Sequence, residues 1–167
     1  MAIGANILIK YLGENAMVIE EIREYNKQLI AKYPWLLPRN RWTGEVIEDY
    51  DYSYTELDDM PDGWRAAFGE QMCEEIQQEL NMMEPYQRED FHIVQIKEKY
   101  GLLRFYTNWV TDAINNVIYK YEKLSEHTCI SCGAPATKMS TDWISPWCDK
   151  CAEKLHANFV KIAEKNT

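Results

Sequence analysis

The sequence predicts an α+β fold that ends in a four-cysteine module, and three observations carry that prediction. Apolar residues recur at spacings of three and four over residues 14–32, 64–82 and 110–124, the period of amphipathic helices. Two apolar runs, 91–96 and 102–106, flank a short segment ending in Gly101 and read as a short antiparallel hairpin within 91–107. Near the end of the chain, two C-x2-C pairs, Cys129 with Cys132 and Cys148 with Cys151, stand fifteen residues apart. The chain has 167 residues, 46% of them apolar, with eleven Tyr and six Trp. That suffices for one packed body and a small appendage. The expected division is a body over 1–126 and a cysteine module over 127–167. No linker-like Gly/Ser/Pro run separates them, so the module is expected to pack on the body.

In chain order, residues 1–13 are short and apolar, with Ile7, Leu8 and Ile9 suited to a strand or a docked arm. The first helix places Val18, Ile22, Tyr25 and Leu29 on one face and stops before Pro34. The apolar segment 34–38 lies between two prolines, so it is expected to cross the core as an extended plug. Its rival role is an exposed aromatic anchor. Arg39 and Arg41 beside Trp42 are too few cations for a nucleic-acid patch. Within 45–62, Tyr50, Tyr52 and Tyr54 alternate; as a strand they would share one face. Pro61-Asp62-Gly63 reads as a turn. The second helix carries a stripe of Trp64, Phe68, Met72, Ile76 and Leu80, with Glu70 and Glu74 opposite, and ends at Glu84-Pro85. Cys73 falls on its apolar side as a buried small hydrophobe. In the hairpin, His92 has no nucleophile motif nearby and reads as structural. The third helix places Val110, Ile114, Val117, Ile118, Tyr121 and Leu124 on one side.

Four thiolates at this spacing match a closed tetrahedral zinc centre. Disulfides are the rival, but nothing reads as a signal peptide, and reduced cytosolic thiols favour metal. His127 and His156 lie close enough to serve as alternative ligands, yet four sulfurs already complete the set. Gly133 supplies the positive φ that a knuckle turn needs. Leu155, Phe159 and Ile162 then predict a helix over 148–165. Knuckle, hairpin and helix in that order resemble a treble-clef finger, with structural Zn2+ on Cys129, Cys132, Cys148 and Cys151. A closed four-sulfur site does no Lewis-acid chemistry.

Charge narrows the function classes. The net charge is −9, yet residues 45–90 hold fifteen acidic and two basic side chains, a net of −13. Such a stretch repels nucleic-acid phosphate and attracts basic surfaces. Glu48, Asp49, Asp51, Glu56, Asp58, Asp59, Glu70 and Glu74, with Tyr50, Tyr52 and Tyr54, form the candidate partner surface. A solvated face is its plain alternative. No phosphate loop, zincin motif or nucleophile elbow occurs, so no catalytic residue is assigned and an enzyme is not expected. No apolar run is long enough to span a bilayer.

The phrases YPWLLPRNRWTG, YTELDDMPDGW, IKEKYGLLRFY and SEHTCISCGAPA resemble proteins of phage and prophage genomes, over most of the chain from Tyr33 to Cys151. The resemblance implies a phage accessory protein, at work in the host cytoplasm, with a four-cysteine zinc site. Joined to the acidic stretch, it leads to a non-enzymatic protein that binds a basic partner surface. The concrete form is an inhibitor of a host defence or nucleic-acid-binding enzyme that imitates the charge of DNA. The alternative is a nucleic-acid-binding regulator acting through the zinc finger.

Overall fold

A computed structural model describes residues 19–162. The arm expected over 1–13, the start of the first helix and the chain beyond residue 162 lie outside the described residues. Helix α1 (Ile19–Lys32) buries Asn26 and Leu29 and stops before Pro34. The plug is a single 3-10 turn, Pro34–Leu36, rather than extended chain. Leu36 is fully enclosed, and the buried Trp35 ring meets Phe91 edge-on at 5.7 Å. Residues 34–38 are thus a core plug and not an exposed anchor.

The second predicted helix is built in three pieces: α2 (Asp62–Trp64), a π turn (Arg65–Gly69) and α3 (Glu70–Asn81). The predicted stripe explains the wide turn. A strict four-residue spacing outruns the α-helical period of about 3.6, so the stripe would drift off the core in an unbroken helix. The π turn takes up the surplus, and Trp64, Phe68, Met72, Ile76 and Leu80 are all buried. Cys73 is also fully buried. Burial pushes its thiol well above the ordinary range, which makes it inert. Beyond Glu84, where the sequence marks only an end, a short helix α4 (Pro85–Asp90) forms. Pro85 occupies its first turn, and Glu84 and Gln87 make a capping box.

Strands β1 (Ile93–Lys99) and β2 (Leu102–Thr107) pair antiparallel, with a register shift between Ile93 and Gln95. Tyr100 and Gly101 both take positive φ, 55° and 79°, the geometry of a tight two-residue hairpin turn. Gly101→Ala is expected to cost about 1–2 kcal/mol through left-handed backbone strain, read as a lower midpoint in urea unfolding.

Helix α5 (Asp112–Ser125) is capped by Thr111, whose Oγ1 accepts from the Ile114 N–H. It buries Ile114, Ile118 and Tyr121, while Val110 and Leu124 are exposed, so the apolar face is narrower than the sequence suggests. At its end Ser125 Oγ accepts the Leu103 N–H at 2.9 Å and ties helix to hairpin.

Two further expectations fail. Residues 50–54 form no strand, because Asp49 and Tyr52 take positive φ (57° and 63°) and break the alternation. The Asp51 carboxylate accepts the Ser53 N–H, and the Asn26 amide donates to the Tyr52 carbonyl, which fixes these turns. Tyr50 still gathers the other two rings, with centroids 4.9 Å from Tyr52 and 5.7 Å from Tyr54. The helix expected over 148–165 is one turn, α6 (Asp149–Ala152). The chain then returns as β5 (Phe159–Lys161) beside β3 (Lys138–Ser140), which also pairs with β4 (Pro146–Trp147). Leu155, Phe159 and Ile162 alone make too thin a stripe to hold an eighteen-residue helix down. Phe159 and Val160 instead suit the open edge of β3, and Leu155 is left 40% exposed.

Candidate metal centre and surrounding surfaces

The first cysteine pair sits on a knuckle. The Gly133 N–H donates to the Cys129 carbonyl at 3.0 Å, and the Cys129 N–H donates to the Ala134 carbonyl at 2.7 Å. Gly133 takes φ 77°, as its place after the pair requires. The second pair belongs to α6, where Cys148 is the N-cap and Cys151 lies within the single turn. The Ile130 N–H donates to the Pro146 carbonyl at 2.9 Å, which brings the knuckle against the β3–β4 hairpin.

The four sulfurs lie within 4.8 Å of one another, and Cys132 Sγ and Cys148 Sγ are 3.6 Å apart. Tetrahedral zinc with bonds of about 2.3 Å places its sulfurs about 3.8 Å apart, so the set fits that ion with small adjustment. Cys129 is buried and Cys132 is exposed, so the site is reached from one side. Burial raises Cys151 to about 12. Burial also opposes ionisation of Cys148, but the Cys151 N–H and the neighbouring thiols outweigh it and lower its pKa. Neither His127 nor His156 belongs to the sulfur group. These residues could bind a metal and hold it closed.

The knuckle rests directly on the body. The Gly63 N–H donates to the Ile130 carbonyl at 2.9 Å, and Trp64 Nε1 donates to the Thr128 carbonyl at 2.8 Å. A Cβ on Gly63 would stand 2.2 Å from the Cys129 carbonyl oxygen, and one on Gly133 would stand 2.6 Å from the Gly63 oxygen. Gly63 is therefore a close-approach glycine in α2, where the sequence suggests only a turn.

The candidate acidic residues divide sharply. Asp51 pairs with Arg23 and Asp59 with Arg41. Glu70 and Glu74 reach Lys32 at 3.8 and 3.0 Å, and Glu74 also accepts from the Tyr33 hydroxyl. A hydrogen bond from Ser53 and another from Arg23 hold the Asp51 pKa down to about 2. Glu56 is buried and carries a raised pKa, chiefly from burial. Asp58 is enclosed with Arg65 in an ion pair whose side chains are 14% and 7% exposed. Among the described residues, Glu45, Glu48 and Asp49 are exposed and meet no cation.

The sequence did not reveal three further features. The Asp58–Arg65 pair joins the 3-10 turn Glu56–Asp59 to the π turn. Arg65→Met is expected to cost about 3 kcal/mol in urea unfolding, because it removes the cation enclosed beside the Asp58 carboxylate, which keeps its hydrogen bonds from the Thr55 N–H and hydroxyl; Asp58→Asn added to it should recover part of that loss. A cavity of about 140 Å³ lies between Tyr25 and the π turn, lined also by Leu57 and Phe68. Trp42 is 96% exposed on a stiff turn. Asn40 Oδ1 accepts the Trp42 and Thr43 N–H groups, and the Gly44 N–H donates to the Asn40 carbonyl at 2.7 Å. Among the described residues, no helix is long and apolar enough to cross a membrane. No family model, curated protein or solved structure matches this chain.

Proposed function

We propose that this chain is a metal-stapled, non-enzymatic binding protein whose loop over 40–59 docks on a basic surface of a protein partner. One observation carries the reading: Trp42 stands almost wholly in solvent on a turn held by its own hydrogen bonds, with Glu45, Glu48 and Asp49 on the same loop. An indole held out in solvent on a turn of fixed geometry offers a partner a large amphipathic contact at little ordering cost. Tryptophan anchors ringed by charge are a common core of protein interfaces. The paired acids Asp51, Asp59, Glu70 and Glu74 are poorly suited to imitate DNA, since cations of this chain already neutralise them. The docking surface is therefore narrower than the whole acidic stretch. Inhibition of a host defence or nucleic-acid-binding enzyme is the form that the resemblance to phage proteins favours.

The test is capture of a partner from host lysate by three baits. These are the parent, Trp42→Ala, and a variant with Glu45→Gln, Glu48→Gln and Asp49→Asn. The reading predicts one protein held by the parent, lost by Trp42→Ala and weakened by the charge variant, with retention falling as salt rises. Equal retention by all three baits refutes it.

A further inference from the structure

The outward face of the β1–β2 hairpin belongs neither to the metal centre nor to the acidic loop. Side chains alternate across a strand. Ile96, Leu103 and Phe105 turn inward and are buried. The register pairs Gln95 with Tyr106, Lys97 with Arg104 and Lys99 with Leu102, so these six share the other face. Three of them are cations and none is a carboxylate, in a chain of net charge −9. Lys97 Nζ lies 5.4 Å from the centre of the Tyr106 ring, and Lys99 Nζ lies 5.6 Å from that of Tyr100. Among the described residues neither lysine meets a carboxylate, while Arg104 reaches Glu122 at 3.4 Å. The face continues onto the cysteine module. A Cβ on Gly101 would stand 3.3 Å from Met139 Sδ and 3.4 Å from Ile144. Tyr100 and Trp143, 71% and 75% exposed, are the immediate chain neighbours of that contact.

We propose that this face binds single-stranded nucleic acid. Lys97 and Lys99 contact phosphates, Arg104 stays with Glu122 beside them, and Tyr106, Tyr100 and Trp143 stack on bases. Cations alone would accept any polyanion. Exposed rings set among them select a ligand with flat faces strung along a charged backbone. A duplex keeps those faces inside its own stack, and an acidic peptide has none to offer. The proposal is independent of the loop over 40–59.

The experiment is fluorescence anisotropy of a labelled oligothymidylate titrated with the intact, metal-loaded protein. Two phosphate contacts predict a slope of log affinity against log salt of about −1.4, at about −0.7 per contact on a single strand. Lys97→Glu with Lys99→Glu should weaken binding about tenfold or more, and Tyr106→Ala and Trp143→Ala about fivefold or more each. Trp42→Ala should leave it unchanged. All substituted side chains reach solvent, and circular dichroism with metal content confirms that each variant is folded. The proposal is overturned by no binding at low salt, by unchanged affinity in the charge-reversed variant, or by equal affinity for duplex. Displacement by polyglutamate as readily as by unlabelled oligonucleotide would show a face that reads charge alone, and would equally overturn it.

Discussion

Stripping the metal with a chelator, or replacing Cys132 with Ser, is expected to unfold residues 128–161 while α1, α3, α5 and the β1–β2 hairpin stay folded. The module has little else to hold it. Strand β4 has two residues, α6 is one turn, and β3 and β5 have three residues each. Its buried apolar content is slight, with Cys129, Pro146, Cys148 and Ala152 the apolar residues it encloses. Structural zinc in such modules supplies about 10–16 kcal/mol of apparent binding free energy at neutral pH, and that energy is folding energy. Amide exchange reads the outcome residue by residue. The N–H groups of Gly133, Ala152 and Ile162, each donating within the module, should lose protection on chelation. The N–H groups of β1 and β2 should keep most of theirs. Exchange of both regions together would show that body and module unfold as one unit. Retention of the module's protection without metal would show that the cysteines do not staple it.

Gly63→Ala is expected to separate the module from the body without touching a ligand. A methyl group 2.2 Å from the Cys129 oxygen has nowhere to go, because the facing atoms are backbone on both sides. Moving the knuckle away breaks the Gly63–Ile130 and Trp64–Thr128 hydrogen bonds and strands their donors in a buried place. Each buried unsatisfied group costs about 1–3 kcal/mol, so the two together cost about 2–6 kcal/mol. In a chain of this size that lowers the melting temperature by about 10 °C. Gly44→Ala is the matched control. Gly44 has φ 74° but open space around it, so only backbone strain of about 1 kcal/mol is expected. Calorimetry separates the two, and Gly63→Ala should still carry its metal. A melting temperature equal to the parent's would mean that the module does not depend on this contact.

Local patterns explain what the sequence revealed. Each C-x2-C pair, the four-residue steps of the stripe from Trp64 to Leu80 and the turn at Gly101 depend on residues within a few positions of one another; the sulfurs cluster, the stripe is buried and the turn takes positive φ. Contacts between distant residues explain what it concealed. The acidic stretch looks like a continuous field of charge, yet Arg23 reaches Asp51 across 28 positions, and Lys32, at the end of the first helix, reaches Glu74 at 3.0 Å. No composition window shows such neutralisation. Leu155, Phe159 and Ile162 satisfy a helical period, but the partner that decides their fate is strand β3, twenty residues earlier in the chain. Gly63 looked like a turn residue because its neighbours are Pro61 and Asp62, while the cause is a carbonyl at Cys129. The π turn alone left a local trace, the overlong four-residue spacing of the stripe.

X-ray absorption on protein purified without added metal tests the central claim most directly. The account predicts one zinc per chain with a shell of four sulfurs at about 2.3 Å, reduced to a mixed or empty shell in Cys132→Ser. A metal-free protein with its thiols oxidised, or a shell containing nitrogen or oxygen in the parent, would contradict the closed four-cysteine centre on which the module rests.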